Sequence, residues 1–155
     1  MGFGTLSLKG RALRLLAQRE HSRAELATKL ARHVQEGDDL DAVLAELESK
    51  DFISEARVVE STLNRRAGRL GAARIRQELQ AKGLDAERVQ QAVASLQSTE
   101  WARAHAVWAR RFGSVAADAK ERARQARFLA ARGFGGEVVG RIVRGATPPE
   151  PDEEP

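Results

Sequence analysis

Histidine, the carboxylates and arginine are the residues in this chain from which a site could be built. The histidines are His21, His33 and His105. None stands four residues from another with a glutamate between them, the helical spacing by which two imidazoles hold zinc. Cysteine is absent, so there is no thiolate ligand, thiol nucleophile or disulfide. No phosphate-cradling glycine loop, dinucleotide turn or nucleophile elbow occurs. Asp and Glu are numerous but fall where solvated helix faces put them. The chain is therefore expected to be no enzyme and to hold neither metal nor cofactor. His105 shares a helical face with Trp101 and Trp108. That spacing favours core packing over ligation or stacking on bases.

Arginine carries the stronger signal. Of 26 basic residues, 21 are Arg. Residues 1–53 hold 8 basic and 9 acidic groups (net −1), 54–97 hold 8 and 5 (+3), 98–147 hold 10 and 4 (+6), and 148–155 hold 0 and 4 (−4), which sums to the overall +4. Positive charge rising along the body points to a polyanionic partner, a nucleic acid first. Codon bias toward arginine is the competing account. The candidate binding surface comprises the cluster Arg65, Arg66 and Arg69, its counterpart Arg110 and Arg111, and then Arg74, Arg76, Arg122, Arg124, Arg127 and Arg132.

The elements that must position these residues are helices. All four prolines lie at positions 148–155, and the body before them is rich in Ala, Arg, Leu, Glu and Gln, which lose little freedom in a helix. Helical periodicity appears in nine stretches that form three sets of three. In the middle stretch of each set the apolar register repeats: Leu26 and Leu30, then Ile75 and Leu79, then Gln125 and Leu129. The first stretches carry Leu8, Ala12 and Leu15; Val59 and Leu63; and Trp101, Trp108 and Phe112. The third carry Leu40, Val43, Leu44 and Leu47; Val89, Val93 and Leu96; and Val138, Val139, Ile142 and Val143. Gly37, Gly83 and Gly133 follow the middle helices as left-handed caps. Asp38, Asp85 and the Gly135–Gly136 pair mark the starts of the third helices, and Ser22 with Glu25 reads as a capping box.

The expected fold is all-α: three tandem three-helix repeats, helix-turn-helix-like, stacked into an elongated, curved body. The expected units are residues 7–53, 54–97 (basic) and 98–145 (most basic), followed by a disordered, acidic, proline-rich tail at 146–155. Aligning Leu30, Leu79 and Leu129 makes Glu25, Arg74 and Arg124 equivalent, an outward position that changes sign after the first unit. No apolar run approaches the roughly 18 residues of a membrane helix, and a cytoplasmic, monomeric protein is expected.

These residues resemble those of the bacterial RecX family across positions 7–145. The first unit runs from Arg11 through Arg19-Glu20 to Ser22-x-x-Glu25-Leu26-x-x-Lys29-Leu30. The second has Arg74-Ile75-x-x-Glu78-Leu79-x-x-Lys82-Gly83-Leu84. The third has Trp108-Ala-Arg-Arg111-Phe112-Gly113 and Arg127-Phe128-Leu129-Ala-Ala-Arg132-Gly133-Phe134. The second unit opens Ser54-Glu55-Ala56-Arg57-Val58-Val59, without the aromatic usual in the family. The resemblance implies a non-catalytic regulator that lies in the helical groove of the RecA recombinase filament. It would modulate, mostly inhibit, ATPase, strand exchange and coprotease activity in recombination, DNA repair and the SOS response. Single- or double-stranded DNA would be a weaker partner through units two and three. A stand-alone helical DNA-binding module is the alternative, and a scaffolding array with another protein partner a third reading.

Overall fold

The computed structural model describes residues 6–148. Every regular element among them is helical: α1 (Leu8–Gln18), α2 (Arg23–Leu30) running into a 3-10 turn (Ala31–His33), α3 (Leu40–Ser49), α4 (Glu55–Arg66), α5 (Ala72–Ala81), α6 (Ala86–Arg111), α7 (Ala119–Ala131) and α8 (Gly136–Val143). Of the expected tail, residues 146–148 have no regular structure and residues 149–155 lie outside the described residues.

Nine periodic stretches become eight helices among the described residues, because the last of unit two and the first of unit three run on as α6, 26 residues long. Between them stand Gln97, Ser98, Thr99 and Glu100, with no glycine or proline to end a helix. The hydroxyls of Ser95 and Thr99 turn back onto the Ala92 and Leu96 carbonyls within it.

Side-chain caps start most of the helices. Ser7, Ser54, Asp85 and Asp118 each accept a backbone N–H three residues on, and Ser22 with Glu25 forms the expected capping box. Asp39, not Asp38, caps α3; the Asp38 carboxylate accepts from the Gln35 N–H at 2.8 Å instead. Gly83 and Gly133 follow α5 and α7 with φ of 70° and 89°, as left-handed caps should. Gly37 does not cap α2. That helix tightens into the 3-10 turn, ends at Val34 with φ −70°, and leaves Gly37 to the turn before α3.

Each unit has its own core. Leu8, Ala12, Leu26, Leu30, Leu44, Leu47 and Ile53 fill the first. Val58, Ile75, Leu79, Leu84, Val89, Ala92, Val93 and Leu96 fill the second, and Ala104, Val107, Trp108, Leu129, Phe134, Val139, Ile142 and Val143 the third. On α4 the buried face is Val58 and Thr62, rotated by one residue from Val59 and Leu63, which are only partly buried. Thr62 is tolerated there because its hydroxyl donates to the Val58 carbonyl at 2.8 Å. Gln125 replaces the aliphatic of the other middle helices for a matching reason. Its Oε1 accepts from the buried Trp108 Nε1 at 2.9 Å.

The same joint links successive units. The N-terminal end of one middle helix docks on the C-terminal glycine of the next. At the first joint the Ser22 hydroxyl donates to the Lys82 carbonyl at 2.6 Å, Lys82 Nζ reaches the Glu25 carboxylate at 3.3 Å, and a Cβ on Gly83 would lie 2.7 Å from the Ala24 methyl. At the second, the Gly71 and Ala73 N–H groups donate to the Arg132 and Gly133 carbonyls at 2.8 and 3.2 Å. A Cβ on Gly71 would fall inside the Gly133 carbonyl. Three cores joined end to end in this way make an elongated array rather than one globule.

Candidate functional site

The joints change the reading of the repeated position at 25, 74 and 124. Glu25 does not point outward. Its side chain is 14% exposed and sits between Arg19, at 2.8 Å, and Lys82. Burial favours the neutral acid, but the Arg19 guanidinium, the Ser22 N–H and Lys82 outweigh it and hold the carboxyl at about 2. Arg74 is exposed, yet its stem lies against Gly133 and its Nη1 donates to the Ala131 carbonyl at 2.9 Å. It tethers α5 to the end of α7. Arg124 meets no further unit among the described residues. It pairs with Glu121 at 3.2 Å and lies 5.8 Å from the Phe112 ring centre.

Four of the eleven candidate arginines converge. Arg69 from the α4–α5 loop, Arg110 and Arg111 from the end of α6, and Arg132 at the end of α7 line an open cleft of about 270 Å³, floored by Val107 and Phe128. Arg132 lies 4.6 Å and Arg111 5.6 Å from the Phe128 ring centre. Phe112 meets Phe128 edge to face at 5.3 Å. Arg110 donates to the Gly68 carbonyl at 3.3 Å. No carboxylate lines the cleft. Guanidiniums stacked on a ring are already ordered, so an incoming anion costs them little further freedom. An aromatic floor between them can also accept a stacked base.

The other candidates are dispersed. Arg66 pairs with Glu78 at 3.2 Å. Arg65 lies in a cleft that also holds Glu20, Arg57 and Glu60. Arg76 lines a separate cleft with Gln80, Leu84 and Val89, and Arg122 and Arg127 are exposed on α7.

Arg103, absent from the sequence-derived candidates, is what holds the cleft together. Its Nη1 donates to the Ala67 and Leu70 carbonyls at 2.8 and 2.7 Å. It thus satisfies the orphan carbonyls after α4 and presents Arg69 to the third unit. Glu100 assists by accepting from the Ala72 N–H at 3.2 Å. A run of arginines on α6 gives no sign of which one turns inward.

Two of the three histidines, His21 and His105, pack within the fold. His21 is 1% exposed. Its Nδ1 contacts the Arg19 carbonyl at 3.0 Å and its Nε2 the Lys29 ammonium at 3.1 Å. A carbonyl can only accept and an ammonium only donate, so the ring is neutral with its proton on Nδ1. Burial lowers its pKa. His105 stacks on Trp101 at 4.8 Å, half-buried, as expected. No group of three metal-ligating side chains occurs among the described residues, and none of their helices is long and apolar enough to cross a membrane.

Comparison with known proteins bears on this architecture directly. The first, second and third three-helix domains of RecX match residues 9–47, 54–93 and 98–143. The regulatory protein RecX of Leptothrix cholodnii is 55% identical over 139 residues, 90% of this chain and 88% of that protein. The chain belongs to the RecX family. The RecX of Chromobacterium violaceum is 36% identical over 90% of both chains. Two crystal structures show the same fold at 19% identity. One, a regulatory protein RecX, has a TM-score of 0.71 over 87% of this chain and 70% of its own; the other, RecX from Lactobacillus salivarius, has 0.70 over 88% and 92%. This RecX-family chain is thus a member of a family of regulatory proteins, all-helical and built of three-helix repeats.

Proposed function

We propose that this chain regulates recombination by binding the RecA filament along its helical groove, mostly inhibiting ATP hydrolysis, strand exchange and coprotease activity without chemistry of its own. The Arg69–Arg110–Arg111–Arg132 cleft is the contact to phosphate or to an acidic surface. The observation that carries the reading is this carboxylate-free cleft, built where two units lock together, in a chain of the RecX regulatory family. An extended body with several modest contacts gains affinity by engaging them together. DNA is the weaker partner, held by the same cleft through its phosphates, with Phe128 available to a base.

The test is ATP hydrolysis by RecA on single-stranded DNA with the chain at saturation. Inhibition by the wild type, lost in Arg69→Glu with Arg111→Glu, is the expected result. No effect of the wild type refutes the reading. Arg74→Glu is unsuitable as a probe because it also breaks the tether to Ala131. Tight, salt-steep binding of DNA that RecA does not alter would favour a stand-alone DNA-binding module instead.

A further inference from the structure

The first unit carries net −1 by sequence, yet its charges are sorted in space. Of its eight basic residues, Lys9, Arg19, Arg23 and Lys50 pair with carboxylates. The other four, Arg11, Arg14, Lys29 and Arg32, make no ion pair among the described residues, and all four line one cleft of about 510 Å³. His33 lies beside them, and Leu6, Leu15 and Leu30 provide an apolar floor. Leu6 is 41% exposed. Six of the unit's nine acids are paired elsewhere: Glu46 with Lys9 and Lys50, Asp41 and Glu48 with Arg23, Glu25 with Arg19 and Lys82, and Glu20 and Asp51 with Arg57. Asp38 accepts from the Gln35 N–H, Asp39 caps α3, and neither these nor Glu36 line the cleft.

The place of this cleft in the repeat is a second, independent observation. Arg32 and His33 stand at the register positions of Ala81 and Lys82 in unit two and of Ala131 and Arg132 in unit three. Those positions receive the N-terminal end of the preceding unit's middle helix. In unit one no helix of the described chain covers them. The first joint also shows what such an end accepts: Lys82, at the position of His33, binds the Glu25 carboxylate of the incoming helix.

We propose that the α1–α2 cleft is a docking site for an acidic, amphipathic peptide segment of a protein partner. Its apolar side chain would cover Leu6 and Leu15, and its carboxylates would meet Arg11, Arg14, Lys29 and Arg32. Cationic rims recognise carboxylates and apolar floors anchor a side chain, the arrangement of helix-in-groove recognition. A nucleic acid is the poorer fit, because the floor of the cleft is leucine and no Phe, Tyr or Trp lines it to stack on a base, His33 being its one ring. The inference stands apart from the RecA reading, since it concerns a different surface and a different ligand chemistry.

The test is fluorescence anisotropy of a labelled peptide repeating Asp-Glu-Leu-Glu-Asp-Phe, titrated with the full chain. Binding is expected, and Arg11→Glu with Arg14→Glu should weaken it about tenfold or more. Neither side chain makes a hydrogen bond or ion pair among the described residues, so the fold should survive; Arg14→Gln is the milder companion and should weaken binding in the same direction. A control peptide, Pro-Pro-Glu-Pro-Asp-Glu-Glu-Pro, the sequence at positions 148–155, has the charge without a large apolar anchor and should bind weakly. His33 gives a local readout. Burial, then the charges of Arg11 and Arg32, hold its pKa below 6.5, and a bound acidic peptide should raise it in an NMR titration. Binding indifferent to the Arg11 and Arg14 substitutions overturns the proposal. So does equal binding of the control peptide, displacement of the probe by a single-stranded oligonucleotide, or self-association of the chain that the same substitutions abolish. Loss of RecA inhibition with peptide binding intact would refute only the RecA reading.

Discussion

Replacing Gly71 with alanine tests the joint on which the arginine cleft depends. The backbone at Gly71 has φ −79° and ψ 168°, an ordinary extended conformation, so alanine carries no conformational cost there. The cost is steric. The new methyl would fall inside the Gly133 carbonyl, and the two segments must separate. Separation removes three hydrogen bonds: Gly71 N–H to the Arg132 carbonyl at 2.8 Å, Ala73 N–H to the Gly133 carbonyl at 3.2 Å, and Arg74 Nη1 to the Ala131 carbonyl at 2.9 Å. At a net 1 kcal/mol or so each, the expected loss is about 2–4 kcal/mol. Urea unfolding followed by circular dichroism measures it, and hydrogen exchange localises it to the amides of residues 71 and 73, leaving α2 protected. Gly68→Ala is the control. Nothing lies within 4 Å of its Cβ, and it should change stability by no more than about 0.5 kcal/mol. If Gly71→Ala matches Gly68→Ala in stability and in exchange, the joint is not the structural link described.

The two tryptophans should respond unequally. Trp108→Phe strands the buried Gln125 carbonyl and should cost about 1–3 kcal/mol in urea unfolding, whereas Trp101 Nε1 is buried without a partner among the described residues, so Trp101→Phe should be nearly neutral. Glu25 is held at about 2 against its ordinary 4.5. Because the folded value is the lower, its contribution is present above pH 4.5 and is lost as pH falls toward about 2. Glu25→Gln should flatten acid unfolding over that range. His21 has a lowered folded pKa, so the unfolded chain takes up the proton first, and its contribution, full above about pH 6.5, is lost as pH falls below it. ¹⁵N NMR should show the Nδ1-protonated tautomer and a pKa below that of a free imidazole.

Much of this protein is legible in its sequence. The register of Leu26, Leu30, Ile75, Leu79 and Leu129 is a local property of a 3.6-residue helix, and all five residues are buried. The capping box at Ser22 and Glu25, and the left-handed glycines after α5 and α7, are likewise rules of three or four consecutive residues. The family resemblance rests on the same local patterns. What the sequence reading overlooked is long-range. Glu25 and Arg74 look outward on a helical wheel because a wheel has no neighbours, and the next unit, 57 residues away for both the Lys82–Glu25 and the Arg74–Ala131 contacts, covers one and ties down the other.

The charge patterns divide in the same way. The net charge of a segment is a sum over its residues and is fully determined by sequence. Which charges neutralise each other depends on distances that only packing sets. Unit one is net −1 and still presents four cations without an ion pair among the described residues in one cleft, because six of its nine carboxylates pair with Lys9, Arg19, Arg23, Lys50, Arg57 and Lys82 and none of the other three lines it. Of eleven arginines marked by sequence, four meet around Phe128. They meet there because Arg103 and the Gly71–Gly133 joint bring the α4–α5 loop against α6 and α7. Sequence alone determined the helical class, the threefold repeat and the family; the tertiary structure alone decided that two of the nine stretches run on as one helix and which arginines meet in one cleft, because that depends on residues close in space rather than in sequence.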